Sequence, residues 1–474
     1  MRARHLLKSA EPVRDSISEQ GGSRCRLLRL GSIQQGVWNN LAVPMSVHTH
    51  STGSPQKIAQ KQRRLEHRNR SRKKICFFGH FGKFNSGNDG TLLAILYNLR
   101  RFLPEAAVTC VCDRPEAVAA THKIKAIPIS STIVKFWNPR TRLARLLRRV
   151  FIGVPRELWR YVCAFKALKG MDMLIIPGTG LLTDAYGLQN WGPYSVFKWS
   201  LMGKLRGCKL LFVSVGAGPI YSSLGRHLVR SALSLADFRS YRDEPSMKYV
   251  EGIGLCAKHD RVYPDLVFSL PKSLMPHDED RGRRKRVVGL GLMAYAGRYS
   301  VANPSGEIYT AYLECLVIFV EWLLVNNYDI RLLIGDACDT PVIEEFESLL
   351  NRRLELFDEK RVINEPTLSV EQLLSQIAAT DVVVATRFHN VLLALLLDKP
   401  VISISFHHKC ASLMSEMGLS EYCHDINHMN AGRLIEQFQD VERNAEKLKT
   451  VIRQKVEQSR KALDEQYNLI FKCV

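Results

Sequence analysis

The sequence predicts an α/β protein built from two doubly wound, Rossmann-like domains behind a disordered basic N-terminal leader. Three observations predict it. Short unbroken apolar runs alternate with stretches of helical periodicity; the charged run DEDRGRRKR at 278–286 interrupts that alternation, which then restarts; and residues 1–73 show no periodic apolar face. Continuous apolar strands are what a parallel sheet needs when helices cover both its faces. The same alternation met twice argues for two sheets rather than one. A length of 474 residues accommodates both.

In the first domain, 74–277, strands are expected at Ile75–Phe78, Ala107–Cys112, Met173–Ile176, Lys209–Val213 and Phe238–Tyr241. Helices lie between them, for example Gly90–Phe102 and Ser223–Ala236. Residues 278–286 read as a linker. In the second domain, 287–474, strands are expected at Val287–Leu290, Ile330–Ile334, Asp381–Ala385 and Val401–Ser405, and one helical stretch, Asn430–Phe471, closes the chain. Ligands of open parallel sheets bind outside the carboxyl ends of the strands, so the cleft between the domains is the expected site.

The strand–helix junctions carry the candidate residues. The loop Gly79-His80-Phe81-Gly82-Lys83-Phe84-Asn85-Ser86-Gly87-Asn88-Asp89-Gly90-Thr91 follows the first strand and opens a helix. Its glycines permit close backbone approach, and a helix N-terminus favours an anion. The spacing is neither the P-loop nor the dinucleotide fingerprint. Two further loops, Pro177-Gly178-Thr179-Gly180-Leu181-Leu182-Thr183-Asp184 and Ser214-Val215-Gly216-Ala217-Gly218-Pro219, also end apolar strands. Three such loops in one half-chain open one sheet edge to a ligand. Candidate contacts are Gly79, Asn85, Asn88, Asp89, Gly178, Gly180, Asp184, Gly216 and Gly218.

Arg242 ends a strand in Ser240-Tyr241-Arg242-Asp243-Glu244, where Asp243 is placed to cap a helix with Pro245 in its first turn. A cation aimed from a strand end suits a carboxylate or phosphate, although an Arg–Asp surface pair is the competing reading. In Thr386-Arg387-Phe388-His389-Asn390, Arg387 and His389 stand two apart. An extended or turn conformation puts both on one side, where arginine binds an anion and imidazole gives or takes a proton. His407 and Lys409 follow the next strand as further substrate contacts, with a helix-start surface position as the alternative for Lys409.

Composition bounds the function. Hydrophobic content of 46% and charged content of 24% exclude a wholly disordered chain, a collagen-like chain and a small disulfide scaffold. Net charge is +21, yet residues 1–74 hold 16 Lys or Arg against four acids, which leaves +9 on the other 400 residues. Such a leader cannot bury enough surface to order itself. It reads as a solvated tail, with a polyanion-binding tail as the sharper alternative. No unbroken apolar core with a small-residue cleavage site follows its first basic residues, so it does not read as a secretory signal. Twelve cysteines without a CxxC pair read as reduced and cytosolic, and His and Cys lack the clustering of a metal site. The most apolar windows, Cys315–Val325 and Val391–Leu397, are too short to span a membrane.

Taken together, the Gly/Asn loop at 79–91, the Asp172…Gly180…Asp184 loop, Gly216-Ala217-Gly218-Pro219, Tyr241-Arg242-Asp243, Pro264-Asp265 and Arg387-Phe388-His389 resemble the polysaccharide pyruvyl transferase family over about 75–425. The resemblance implies a two-domain GT-B-like architecture and phosphoenolpyruvate as donor, with no cofactor or metal. Its carbon skeleton goes to two hydroxyls of a sugar or lipid-linked glycan as a cyclic ketal, and phosphate is released. By the same resemblance Arg242 and Arg387 bind the anionic donor and His389 protonates its methylene carbon. The chain departs from the family pattern in its first loop, where Gly87-Asn88-Asp89-Gly90-Thr91 replaces a Gly-Asp-Glu run, and at Phe388, which stands where a Leu is usual.

Two other classes of function compete. A GT-B glycosyltransferase using a nucleotide sugar needs an acid to grip a ribose, and Asp336 is the candidate. A non-enzymatic nucleic-acid or membrane-surface binder rests mainly on charge; no nucleic-acid partner is expected of the folded part. Within 140–160, Arg142, Arg145, Arg148, Arg149 and Arg156 alternate with Leu143, Leu146, Leu147, Val150, Phe151 and Ile152. This is the pattern of a helix lying on an anionic membrane surface, or of a packed helix with a solvated basic face. The expected location is cytoplasmic, with peripheral contact at the inner membrane face.

Overall fold

The computed structural model describes residues 73–472 apart from 131–140, 142, 144–146, 148, 179, 185–191, 277–285, 296–305 and 355–356. The leader and most of the expected linker lie outside the described residues.

The first sheet has seven strands: β1 (Lys74–Phe78), β2 (Ala107–Cys112), β3 (Lys125–Pro128), β4 (Met173–Pro177), β5 (Lys209–Val215), β6 (Phe238–Tyr241) and β7 (Arg261–Val262). The second has six: β8 (Val287–Gly291), β9 (Asp329–Leu333), β10 (Val362–Ile363), β11 (Val382–Ala385), β12 (Val401–Ser405) and β13 (Cys423–Asp425). Their orders are β3-β2-β1-β4-β5-β6-β7 and β10-β9-β8-β11-β12-β13. Every pairing is parallel. Each sheet grows outward from its first strand to one edge, then crosses to the other side. The strand order therefore reverses between β1 and β4 and between β8 and β11, and a crevice opens at each reversal.

The nine expected strands are present with boundaries shifted by at most two residues. Strands β3, β7, β10 and β13 were not expected. Each is two to four residues long and lies at or next to a sheet edge, where half-exposed positions remove the continuous apolar signal.

The helix Glu307–Val325 extends the apolar window eight residues toward the N-terminus, which makes it long and apolar enough to cross a membrane by length and composition alone. In the structure Tyr312, Leu313, Leu316, Phe319, Val320 and Leu323 are buried in the core beneath the second sheet.

The expected closing helix is two helices, Ala431–Arg443 and Ala445–Lys472, separated at Asn444. The second does not stay with the second domain. Gln466 Nε2 donates to Ser214 Oγ (3.1 Å) and Ser240 Oγ (2.7 Å) beneath the first sheet. Tyr467 and Ser269 share a hydroxyl bond of 2.8 Å, and Arg101 pairs with Asp464 at 3.0 Å. Residues 445–472 thus complete the first domain's core, and one contiguous apolar cluster runs from Ile75 through Val288 to Phe471.

Candidate functional site

The loops that leave β1, β4, β8, β11 and β12 enclose a cleft of about 660 Å³ at the two strand-order reversals. The domains touch directly at its floor. Ser86 donates to Gly335 O through its backbone N (2.9 Å) and its hydroxyl (2.8 Å). Asn85 Nδ2 donates to Asp336 Oδ2 at 2.5 Å, while its own Oδ1 caps the helix Ser86–Phe102 by accepting from Asn88 N. Asn85 is therefore an interdomain clamp and a helix cap at once. Asp336, the candidate ribose acid, is already engaged by it.

His389 enters from the opposite side, in the first turn of the helix Phe388–Leu396. Its ring lies so close to Gly87 that a Cβ there would stand 2.0 Å from Cε1, so only glycine fits beneath the imidazole. His389 Nε2 is buried without a hydrogen-bond partner, and its nearest charge is Asp265 Oδ2 at 3.7 Å. That separation is too long for a hydrogen bond and makes the pair an electrostatic one. Asp265 also accepts from Val267 N (3.0 Å) and pairs with Arg242 Nη1 (3.1 Å). Burial pushes the Asp265 carboxyl up, but His389 and Arg242 outweigh it and hold it at about 2.

Arg242 leaves β6 as expected, and Asp243 caps the following helix by accepting from Ser246 N at 2.7 Å. The arginine is not a surface residue. It is 9% exposed, stands over the Phe388 ring with its guanidinium carbon 4.7 Å from the centroid, and would meet a Cβ at Gly216 only 2.6 Å from Nη2. Lys409, the second residue of the helix His408–Glu416, borders the same chamber as Arg242, Asp265 and Phe388. Burial and the nearby Arg242 push its ammonium down to about 8. Among the described residues no carboxylate lies within 4 Å of it, so it is the cation of the cluster with capacity left for a bound anion. His407 caps that helix through Nδ1, and burial with Lys409 and His408 pushes it down to about 3, so it is neutral at pH 7.

Arg387 is the extended residue before the helix and His389 lies in its first turn, so they are not two positions of one extended segment, yet both line the cleft. Arg387 Nε and Nη2 form a two-point pair with Asp339 at 2.7 and 2.6 Å, and Asp339 is buried at 0% exposure. Arg387 lines the cleft, but two of its nitrogens are already committed.

Asn88, Gly178, Gly180, Gly218, Phe388 and His407 also line the cleft. Four other candidates do not. Gly79 N bonds Val111 O within the sheet end, and Gly216 backs Arg242. Asp89 accepts from Gly82 N (2.8 Å) and Asn85 N (3.2 Å), which ties the first loop, and burial raises its pKa. Asp184 accepts from Tyr221 N, Ser222 N and Ser222 Oγ, which fixes the turn 220–222. A buried or loop-tying carboxylate looks like a ligand-facing one in sequence because both stand at strand ends. Conversely, Asp265, Asp339, His80 and Asp113 were not among the candidates. For Asp265 a signal existed in Pro264-Asp265; the others gain their meaning from partners 33 to 48 residues away.

The arrangement can hold a small, strongly charged donor against Arg242 and Lys409 with an imidazole at hand to move a proton. Solved structures share this fold at low sequence identity. Anabaena Alr3699/HepE, solved with UDP and glucose, superposes with a TM-score of 0.51 at 14% identity, covering 82% of this chain and 95% of its own. A Listeria monocytogenes protein described as a putative UDP-N-acetylglucosamine 2-epimerase gives 0.53 at 13% identity over 80% and 91% of the two chains. A glycosyltransferase from Rickettsia africae gives 0.50 at 12% over 85% and 99%. These likenesses establish the two-domain GT-B-like fold. The polysaccharide pyruvyl transferase family matches residues 85–408, a span that begins at the interdomain clamp Asn85 and ends at His408, the first residue of its helix. The chain belongs to the polysaccharide pyruvyl transferase family and is a transferase.

Proposed function

We propose that this transferase takes phosphoenolpyruvate as donor and builds a cyclic pyruvate ketal on two hydroxyls of a polysaccharide or lipid-linked sugar. The observation that carries the reading is His389: a buried imidazole nitrogen without a hydrogen-bond partner, 3.7 Å from Asp265 Oδ2, in the cleft that Arg242 and Lys409 also line. An enol ether becomes electrophilic at C2 only when its methylene carbon receives a proton. Imidazolium supplies that proton, and Asp265 stabilises the charged ring that must form first. Carboxylate and phosphate of the donor fit the cations Arg242 and Lys409, with Arg387 held in orientation by Asp339.

Donor identity is tested by thermal shift. Phosphoenolpyruvate at a hundredfold over its Kd stabilises the native state by about 2.7 kcal/mol, so the melting temperature should rise by several degrees and Lys409→Ala should abolish most of the rise. Stabilisation by nucleotide sugars and not by phosphoenolpyruvate overturns the reading in favour of a glycosyltransferase.

The acceptor side of the proposal includes peripheral contact with the membrane. Sixteen large apolar side chains are exposed among the described residues, and eight of them lie between Leu143 and Val162. On the helix Val154–Ala167, Glu157 faces inward to Arg160, Tyr194 and Lys198, whereas Leu158, Trp159 and Val162 face out. The sequence through 140–160 is strongly basic, and an exposed apolar face in so basic a stretch suits anionic headgroups. The protein should co-sediment with phosphatidylglycerol vesicles and not with phosphatidylcholine vesicles, and Leu158→Glu/Trp159→Glu should release it. Binding unaffected by that pair and by neutralising Arg145, Arg148 and Arg149 rejects the contact.

A further inference from the structure

We propose an acceptor-activating site at His80 and Asp113, on the cleft wall contributed by the first sheet, that takes a sugar bearing two neighbouring hydroxyls. The inference rests on the pyruvyl-transfer reading for its donor only, because any donor attacked by a hydroxyl needs that hydroxyl deprotonated.

His80 leaves the end of β1 and Asp113 leaves the end of β2. These are adjacent parallel strands, so the two side chains meet at the sheet's carboxyl edge: His80 Nδ1 stands 2.8 Å from Asp113 Oδ2. Lys83 Nζ lies 3.5 Å from the same carboxylate. Burial pushes the Asp113 carboxyl up, but His80 and Lys83 outweigh it and hold it below its ordinary value. An ionised carboxylate at that distance keeps the proton on Nδ1 and leaves Nε2 as the basic nitrogen. His80, Lys83 and Asp113 border the same cavity as His389, Arg242 and Arg387. Among the described residues there are therefore two histidine–aspartate pairs at the cleft, His80–Asp113 within the first domain and His389–Asp265 across the two domains, and the donor chemistry uses the second of these.

The second pair answers a requirement of the reaction. His389 delivers a proton to the methylene carbon and cannot in the same step remove one from the acceptor. As the first hydroxyl oxygen bonds to C2, its proton passes to His80 Nε2. The bond from C2 to the phosphate oxygen then breaks, and phosphate leaves with the electron pair and that proton. The second hydroxyl oxygen closes the ring on C2, and its proton, taken again by His80, returns through solvent to re-protonate His389. Phosphoenolpyruvate and a diol thus give the ketal and inorganic phosphate with no proton unaccounted for. Asp113 is a positioning residue in this scheme, acting through the His80 tautomer.

The full-length protein is assayed for phosphate release from phosphoenolpyruvate with a panel of nitrophenyl hexosides as acceptors, and in parallel with nucleotide sugars as donors. His80→Ala is expected to lower kcat by about 10²–10⁴-fold, to leave the donor-induced melting shift unchanged, and to regain turnover with added imidazole. Asp113→Asn is expected to lower kcat with KM for the donor unchanged. Turnover of His80→Ala within threefold of wild type overturns the site, as does loss of turnover accompanied by loss of the donor-induced shift. A wild type that turns over nucleotide sugars alone overturns the donor reading, while the ratio of His80→Ala to wild type on that donor still decides the site. A measurement independent of turnover complements this: hexoside binding should shift the His80 imidazole resonances, and resonances unmoved at saturating sugar argue against the site.

Discussion

Replacing His389 with alanine should lower turnover of phosphoenolpyruvate by about 10²–10⁴-fold, the usual contribution of a positioned acid, while the protein melts within a few degrees of wild type. The two halves of this expectation come from the same contacts. The ring rests on Gly87 and against the edge of Phe388, with centroids 4.9 Å apart, so its removal frees some space. It leaves no buried charge stranded, because Asp265 keeps Arg242 and Val267 N. Donor binding should survive, since Arg242 and Lys409 are untouched. The check is phosphate release together with the donor-induced thermal shift on the same preparation. Wild-type turnover in the variant removes His389 from the mechanism.

Replacing Asp265 should do the reverse and strike stability first. Arg242 is almost wholly buried, and without Asp265 its nearest carboxylate is Asp243 at 3.5 Å, which is already capping a helix. Breaking a buried pair from one side costs about 3–5 kcal/mol, because the remaining charge stays desolvated. Asp265→Ala should therefore lower the midpoint of urea unfolding sharply, and Asp265→Asn somewhat less. The pH dependence identifies the cause. A carboxyl held at about 2 in the native state, against an ordinary 3.8, stabilises the fold at pH values above its unfolded pKa. That contribution is lost as pH falls from about 4 toward 2. The gap in unfolding free energy between wild type and Asp265→Asn should stay flat from pH 7 to 5 and narrow below 4. A gap that does not change across that range would falsify the assignment of the ion pair as its source.

The parts of the fold legible in the sequence are those where burial acts on consecutive residues. β4 and β5 are buried on both faces, and their apolar runs announce them. β7 and β10 carry two residues each, too few for any period, and exist only because a neighbour supplies the ladder. In the site, the arginine at the end of β6 and the histidine after β11 could be named from position alone. Their orientation could not. Whether Arg387 faces a ligand depends on Asp339, and how His389 is presented depends on a helix that begins three residues before the apolar run Val391–Leu397. Pairing across 33 or 48 residues leaves no local trace, which is why both the Asp113 and the Asp339 partnerships emerge only in the fold.

The return of residues 445–472 to the first sheet also sets an order of events during synthesis. Gln466 satisfies Ser214 and Ser240, which precede it by 252 and 226 residues. At about 5–20 residues per second, the ribosome needs on the order of tens of seconds to make the segment that covers them. Over that interval the nascent first sheet has its strands but lacks its last helix, with the surface later covered by Tyr467 and Phe471 still open. A segment made only after the whole of the second domain is the one that finishes the first.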